Sequence, residues 1–276
     1  MFRLVAFHEV ATAADADTSV TLANLAGLAD QHITVTGDNI QIPPETPNLM
    51  AVYAQGGSLT AGETAILDQA RLEAPSLKPY IDIAALTGLA ATADDQVPLS
   101  PTPINNYIGK GINFVPGENM QAKTAESVAG DDRAATILVW LGDGNYNAGN
   151  LAMAGMHTIR ATAAIAATAL GNAWGAGAIT FEQALPAGVY AVLGMKVFGA
   201  TIIAGRLIFP NQGARPGCIG YATPLTGVGA IENPMFRNGN LGIWGSFTHT
   251  SPPQLEIIAA AADTAQEVYL DVVKIG

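Results

Sequence analysis

Short apolar runs rich in Val, Ile, Thr, Tyr and Phe recur along this chain, cut at intervals by Gly, Pro and Asn. Brief apolar segments alternating with turn residues are the pattern of an all-β sandwich or barrel. The pattern predicts strands over 2–7, 19–22, 32–36, 49–54, 65–72, 112–114 and 135–141. In the second half it predicts strands over 158–162, 178–181, 189–197, 201–209, 241–248, 255–259 and 267–275. The breaks have a mechanism, since Pro fixes φ and Gly permits positive φ. Gly37-Asp38-Asn39, Pro43-Pro44, Pro116-Gly117, Gly142-Asp143-Gly144, Pro186-Ala187-Gly188 and Pro252-Pro253 all fall between apolar segments. Two stretches follow a helical period instead. Residues 22–30 and 60–71 carry Ala, Leu and Glu at helix spacing, and Thr60-Ala61-Gly62-Glu63 fits a capping box, so short helices are predicted there. The long connection 211–240 reads as a loop.

The second half echoes the first. Val52-Tyr53-Ala54 through Arg71-Leu72-Glu73-Ala74-Pro75 reappears as Tyr190-Ala191-Val192 through Arg206-Leu207-Ile208-Phe209-Pro210. Pro116-Gly117-Glu118 and Val139-Trp140-Leu141 are answered in the same order by Pro253-Gln254-Leu255 and Val268-Tyr269-Leu270. Repeats that keep their order and spacing imply one fold written twice in tandem. The expected fold class is therefore all-β, two tandem jelly-roll barrels or sandwiches with short helices in loops. The first spans 1–144 and the second 155–276, with the polar, aperiodic stretch 145–154 as linker.

Composition changes this picture in one respect. Charged residues make up only 13% of the 276 residues while hydrophobic residues make up 49%. Ordinary domains carry about a quarter charged residues. Charges are depleted at interface cores, so the deficit implies that much of the nominal surface faces other subunits. Within the 211–240 connection and just after it, Pro234, Met235, Phe236 and Trp244 are the apolar anchors expected at such a subunit contact. A formal net charge of −11 argues against direct binding of nucleic acid, which is neutralised through Lys and Arg. The start of the chain carries His8 and Glu9 and too short an apolar run for a secretory signal. The uncharged tract 161–181 is mostly Ala, Thr and Gly and does not read as a membrane span.

Candidate chemistry is sparse. The four histidines, His8, His32, His157 and His249, show no metal-ligand spacing, and a lone Cys218 allows neither an intrachain disulfide nor a cysteine metal site. No nucleophile elbow and no phosphate loop occurs. The acidic pairs Asp15 and Asp17, Asp94 and Asp95, and Asp131 and Asp132 read as solvated turns. No catalytic residue, metal or cofactor is expected.

With two barrel-sized copies, few charges and no catalytic constellation, the chain resembles the double jelly-roll major capsid proteins of tailless icosahedral viruses, bacteriophage-like in kind. The tokens that carry the resemblance are the duplicated Arg71-Leu72-x-x-Pro75 and Arg206-Leu207-x-x-Pro210 and the Trp140-Leu141 and Tyr269-Leu270 endings. The resemblance implies a non-enzymatic virion protein that forms pseudo-hexagonal homotrimers. These would tile a capsid lattice with other virion proteins, with room for an internal membrane beneath the shell. Two other readings stay open. One is a paired jelly-roll hydrolase using Glu182 or Glu232. The other is a secreted carbohydrate-binding or adhesive β-sandwich protein using Trp174 and Trp244 as stacking platforms.

Overall fold

The computed structural model describes residues 2–10, 18–19, 33–58, 67–78, 81–83, 85–90, 105–107, 112–126, 133–144, 155–166, 174–199, 202–210, 212, 215–221, 243–259 and 264–276. Among these every regular element is a strand. The first half holds β1 (Phe2–Val10), β2 (Thr18–Ser19), β3 (Val35–Thr36), β4 (Asn39–Gln41), β5 (Asn48–Ser58), β6 (Leu67–Glu73), β7 (Ile81–Ile83), β8 (Ala85–Ala90), β9 (Asn105–Asn106), β10 (Ile112–Asn113), β11 (Asn119–Glu126) and β12 (Arg133–Gly142). The second holds β13 (Met156–Ala163), β14 (Gly175–Ala178), β15 (Thr180–Phe181), β16 (Val189–Phe198), β17 (Ile202–Ile208), β18 (Gly217–Tyr221), β19 (Gly245–Thr248), β20 (Gln254–Ala259) and β21 (Gln266–Lys274).

Both halves have one strand order. In the first, β1-β12-β5-β10 forms one sheet and β4-β11-β6-β7 lies in the other. In the second, β13-β21-β16-β19 and β14-β20-β17-β18 repeat that order. In each half one sheet joins the first and last strands to middle strands, and the other sets the next-to-last strand between earlier ones, the two-sheet Greek-key plan of a jelly roll. The strand that follows β6 in the first half and β17 in the second turns the corner between sheets. β7 pairs antiparallel with β6 and β8 then pairs parallel with β5, while β18 does both, antiparallel to β17 and parallel to β16. Strands that switch sheets close an open sandwich toward a barrel.

The match reaches single residues through the β-bulges. Met50 is the extra residue of β5 opposite Trp140 and Leu141, and Leu193 is the extra residue of β16 opposite Asp271 and Val272. Asp68 bulges from β6 opposite Ala125 and Glu126, and Ile203 from β17 opposite Ile258 and Ala259. Aligning the bulges makes Arg71 the counterpart of Arg206, as the sequence repeat has it. It also brings the corner pairs Ala54 with Ala85 and Val197 with Gly220 into register. Elsewhere the bulges correct the repeat. Trp140 answers to Asp271 rather than Tyr269, and Val52 answers to Met195 rather than Tyr190. Because both halves carry the same bulges, the bulges fix a register that a run of apolar residues leaves free to slide.

Three segments refine the expected elements. Residues 67–71, covered both by the strand expected over 65–72 and by the helix expected over 60–71, lie in the strand β6, where Ala70 and Leu72 face the first core, and residues 60–66 lie outside the described residues. β11 carries only Met120 and Ala122 as inward apolar residues, so no run announces it. Part of the 211–240 connection is β18, whose glycines sit against backbone. A Cβ on Gly217 would meet the carbonyl of Gly205, and one on Gly220 would meet Ile202. The helix expected at 22–30 and the linker 145–154 lie outside the described residues.

The first barrel's core holds Val5, Phe7, Val52, Ala54, Ile137, Val139 and Leu141. The alternate residues of the same strands, Leu4, Ala6, Ala51, Tyr53, Leu138 and Trp140, belong to a second cluster continuous with the core of the second barrel. The β1-β12-β5 sheet is therefore buried on both faces, which is why these strands read as unbroken apolar runs rather than alternating ones. The barrels stand side by side and point the same way, because the isolated bridge between Arg3 and Arg215 is parallel and the Leu4 amide donates to the Arg215 carbonyl at 2.9 Å.

Candidate functional site

The seam between the barrels gathers charge where apolar packing would be expected. Arg206 on β17 points out of its own barrel, the opposite way from Leu207, and its side chain is 0% exposed. Its Nε donates to Glu256 Oε2 at 2.6 Å, its Nη1 donates to the Leu4 carbonyl at 3.0 Å, and its guanidinium lies 4.0 Å from the Trp174 ring centre. Arg215 Nη1 donates to both Glu256 oxygens, at 2.8 and 2.9 Å. Trp140 Nε1 donates to the Gly217 carbonyl at 2.8 Å. Burial pulls the Arg206 pKa down to about 10, opposed by Glu256 and reinforced by Arg215, so the guanidinium is still charged at neutral pH. One glutamate thus serves two arginines in a dry interface, and each arm reaches across to β1 or back to the loop before β18. The repeat marks Arg206 in sequence; Glu256 and Arg215 carry no signal of their own.

The counterpart surfaces lie at the two outer flanks of the molecule. On the first barrel Arg71 Nε is 2.7 Å from Glu73 Oε1, Lys123 is 3.5 Å from Glu73 Oε2, and Gln121 Nε2 donates to that oxygen at 2.7 Å. On the second, Thr158 Oγ1 donates to Asp271 Oδ1 at 2.5 Å, and Arg160 joins Glu182 at 3.2 Å and Glu267 at 2.9 Å. Desolvation raises the Asp271 pKa, against the hydrogen bond from Thr158 and the nearby Lys196.

The sequence-derived candidates fall as follows. Trp244 is 3% exposed and packs within the second core, its amide donating to the Val192 carbonyl at 2.8 Å. Pro234, Met235 and Phe236 lie outside the described residues, as do Glu232 and the three acidic pairs. Trp174, like Trp244, is buried, so neither offers a stacking face to a sugar. Glu182 is exposed and lines a cleft of about 470 Å³ with His157, Arg160, Leu185, Pro186 and Tyr190, where Arg160 engages it. Cys218 is fully buried, and its thiol is pushed up to about 12 by desolvation, which keeps it a protonated core side chain. His8 is fully buried, Nδ1 sharing a hydrogen bond with Thr136 Oγ1 at 2.6 Å, and burial lowers its pKa to about 4. Among the described residues no group of His, Cys, Asp and Glu converges as a metal site.

No family model and no curated protein matches the chain by sequence. Two solved structures align over nearly its whole length. One is the major capsid protein P2 from bacteriophage PM2, at 9% identity, covering 100% of this chain and 98% of that one with a TM-score of 0.24. The other is the STIV MCP, at 10% identity, covering 99% and 97% with a TM-score of 0.20. At these scores the likeness carries neither fold nor function, and the assignment of two jelly rolls stands on the strand order above.

Proposed function

We propose that this chain is a structural protein, a major capsid protein whose trimers form pseudo-hexagonal capsomers of an icosahedral virion. The observation that carries the reading is the pair of barrels with one strand order, pointing the same way and fused through a sheet buried on both faces. Such a chain offers two similar building blocks per copy, so three copies around an axis present six near-equivalent edges, the shape that tiles a hexagonal lattice. Closed symmetry is how soluble chains usually assemble. The low charge content supports the same reading, because lattice contacts need extended neutral faces. In this reading residues 1–144 and 155–276 are the two blocks, and the acidic chain lies away from nucleic acid, with other virion proteins or a membrane between it and the genome. The loop carrying Pro234, Met235 and Phe236 is a contact element of the lattice.

The test is expression of the full chain followed by mass measurement and negative-stain microscopy. Trimers with a hexagonal outline, or shells, are expected. A protein that stays a monomer at every concentration up to the crowded regime overturns the reading. Particles purified from an infected or expressing cell and assayed for lipid and nucleic acid then decide what the shell encloses.

A further inference from the structure

The two barrels finish the same end differently. With Trp140 set on Asp271 by the bulges, Leu141 falls on Val272, so Arg3, which pairs with Leu141, is the counterpart of His157, which pairs with Val272. Arg3 shares its face of β1 with Val5 and Phe7 of the first core, and His157 shares its face of β13 with Ala161 and Ala163 of the second. Each barrel therefore turns a basic side chain inward at the opening where its first strand begins. In the first barrel that opening is shut. Arg3 is 1% exposed, and Glu45, from the loop between β4 and β5, brings a carboxylate oxygen to 3.5 Å from its Nη2. In the second barrel the loop between β15 and β16 leaves the cleft of about 470 Å³ instead.

Ile159, Leu185, Tyr190 and Val272 give the cleft an apolar wall, and the Tyr190 hydroxyl is fixed by donating to the Pro186 carbonyl at 2.7 Å. The charged and basic side chains that line it are His157, Arg160, Glu182 and Lys274. Glu182 is taken up by Arg160 at 3.2 Å, and Arg160 also holds Glu267, which does not line the cleft, at 2.9 Å. Lys274 lies on the face of β21 that Leu270 and Val272 turn inward. Among the described residues neither Lys274 nor His157 has a hydrogen-bond or ion-pair partner for its side chain. Counting back from the bulged Met50 and Leu193, the place of Glu45 falls to Gly188. A Cβ on Gly188 would meet Lys274 Cε, so where the first barrel has its closing acid the second has a glycine that makes room for a base.

We propose that this cleft binds a small organic acid, its carboxylate held by Lys274 and His157 as Glu45 is held by Arg3, and its apolar body lying against Ile159, Leu185 and Val272. The acid that the first barrel supplies from its own loop is supplied here by a ligand. A neutral apolar ligand would cover the Lys274 amine without pairing it, at a cost. An organic cation would join a lining that already sets Arg160 and Lys274 against Glu182 alone. The volume lies in the range of about 300–1,000 Å³ found for small-molecule sites, and barrel mouths are among the places where such sites form. The cleft is complete within one copy of the chain, so the inference does not depend on the capsid reading.

The test titrates the full-length chain with hexanoate and follows binding by ligand-observed nuclear magnetic resonance. Hexanamide supplies the same body without the charge, and acetate the charge without the body. Hexanoate is expected to bind about fivefold or more tightly than either. Lys274→Gln is expected to weaken hexanoate about fivefold, and Glu182→Gln, which removes the one acid of the lining, to tighten it, while hexanamide responds to neither. Circular dichroism checks that both variants fold, and His157→Ala replaces Lys274→Gln should that one misfold. Absence of hexanoate binding at millimolar concentration, equal binding of hexanoate and hexanamide, or a base-removing variant that titrates like the unaltered protein overturns the inference. Binding that behaves as expected in a chain that never forms trimers or shells keeps this site and removes the capsid reading. Shells built from a chain that ignores hexanoate do the reverse.

Discussion

Glu256 is the residue on which the seam's charge depends. It holds Arg206 and Arg215 together in an interface with almost no water access. Removing one partner of a buried ion pair costs about 3–5 kcal/mol because the remaining charge is left in low dielectric. Glu256→Gln is accordingly expected to lower unfolding stability by about that amount in urea titrations. Replacing all three by apolar residues, Arg206→Met, Arg215→Met and Glu256→Leu, is expected to cost much less, since no uncompensated charge remains. Equal losses in both variants would mean that the triad does not act as a charge unit. His8 makes a separate, pH-linked contribution. Its pKa is about 4 in the folded chain against about 6.5 unfolded, so the folded state binds fewer protons. The stability it permits is complete above about pH 6.5 and falls as pH drops from there toward 4, by roughly 2.5 kcal/mol at pH 4.5. His8→Gln is expected to flatten that part of the profile. An unchanged pH slope in the variant would assign the acid loss to other groups.

Among the strands, the sequence was legible where apolar residues crowd and illegible where the backbone itself does the packing. β5, β12 and β16 announce themselves because both faces are buried, whereas β11 hides because its inner face uses Ala122 and Met120. β18 hides for the opposite reason. Its glycines look like loop residues, yet they are required where the strand crosses between sheets with the carbonyl of Gly205 and the side chain of Leu4 pressed against Gly217. Arg71 and Arg206 could be paired from sequence because no inserted residue separates them from the prolines that follow. The Trp140 equivalence could not be read, since the bulges at Met50 and Leu193 are invisible without hydrogen bonds. The charged seam was half legible: an arginine inside an apolar run is conspicuous, but its partner Glu256 lies on another strand. The corner strand supplies a test at this scale. Gly217→Ala and Gly220→Ala are each expected to cost about 1–3 kcal/mol through overpacking. Gly155→Ala, where a Cβ meets nothing within 4 Å, is the control expected to leave the urea midpoint unchanged. Midpoints that do not distinguish the corner glycines from Gly155 would show that β18 is less tightly held than its contacts indicate.

At the scale of the whole molecule, the decisive fact is that the second cluster does not stop at the second barrel. It runs through Trp140, Tyr53 and Leu4 on the first barrel's sheet, and through Trp174, Leu207 and Ile257 on the second. The same sheet that covers the first core on one face covers the seam on the other, so opening either barrel exposes apolar surface belonging to both. Independent unfolding of one barrel would leave Leu138 and Trp140 in water and Arg206 without its Leu4 acceptor, losses large enough to couple the two units. The chain is therefore expected to unfold in one cooperative transition despite containing two complete strand sets. All three tryptophans lie in this cluster, whereas most of the backbone signal is spread over both barrels. Tryptophan fluorescence and far-ultraviolet circular dichroism should then report the same urea midpoint when measured at one fixed protein concentration, because assembly would shift both together. If the dichroism shows an early step with no change in fluorescence, the first barrel melts without disturbing the seam. In that case β1, β12 and β5 hold the two cores far less tightly than a doubly buried sheet must.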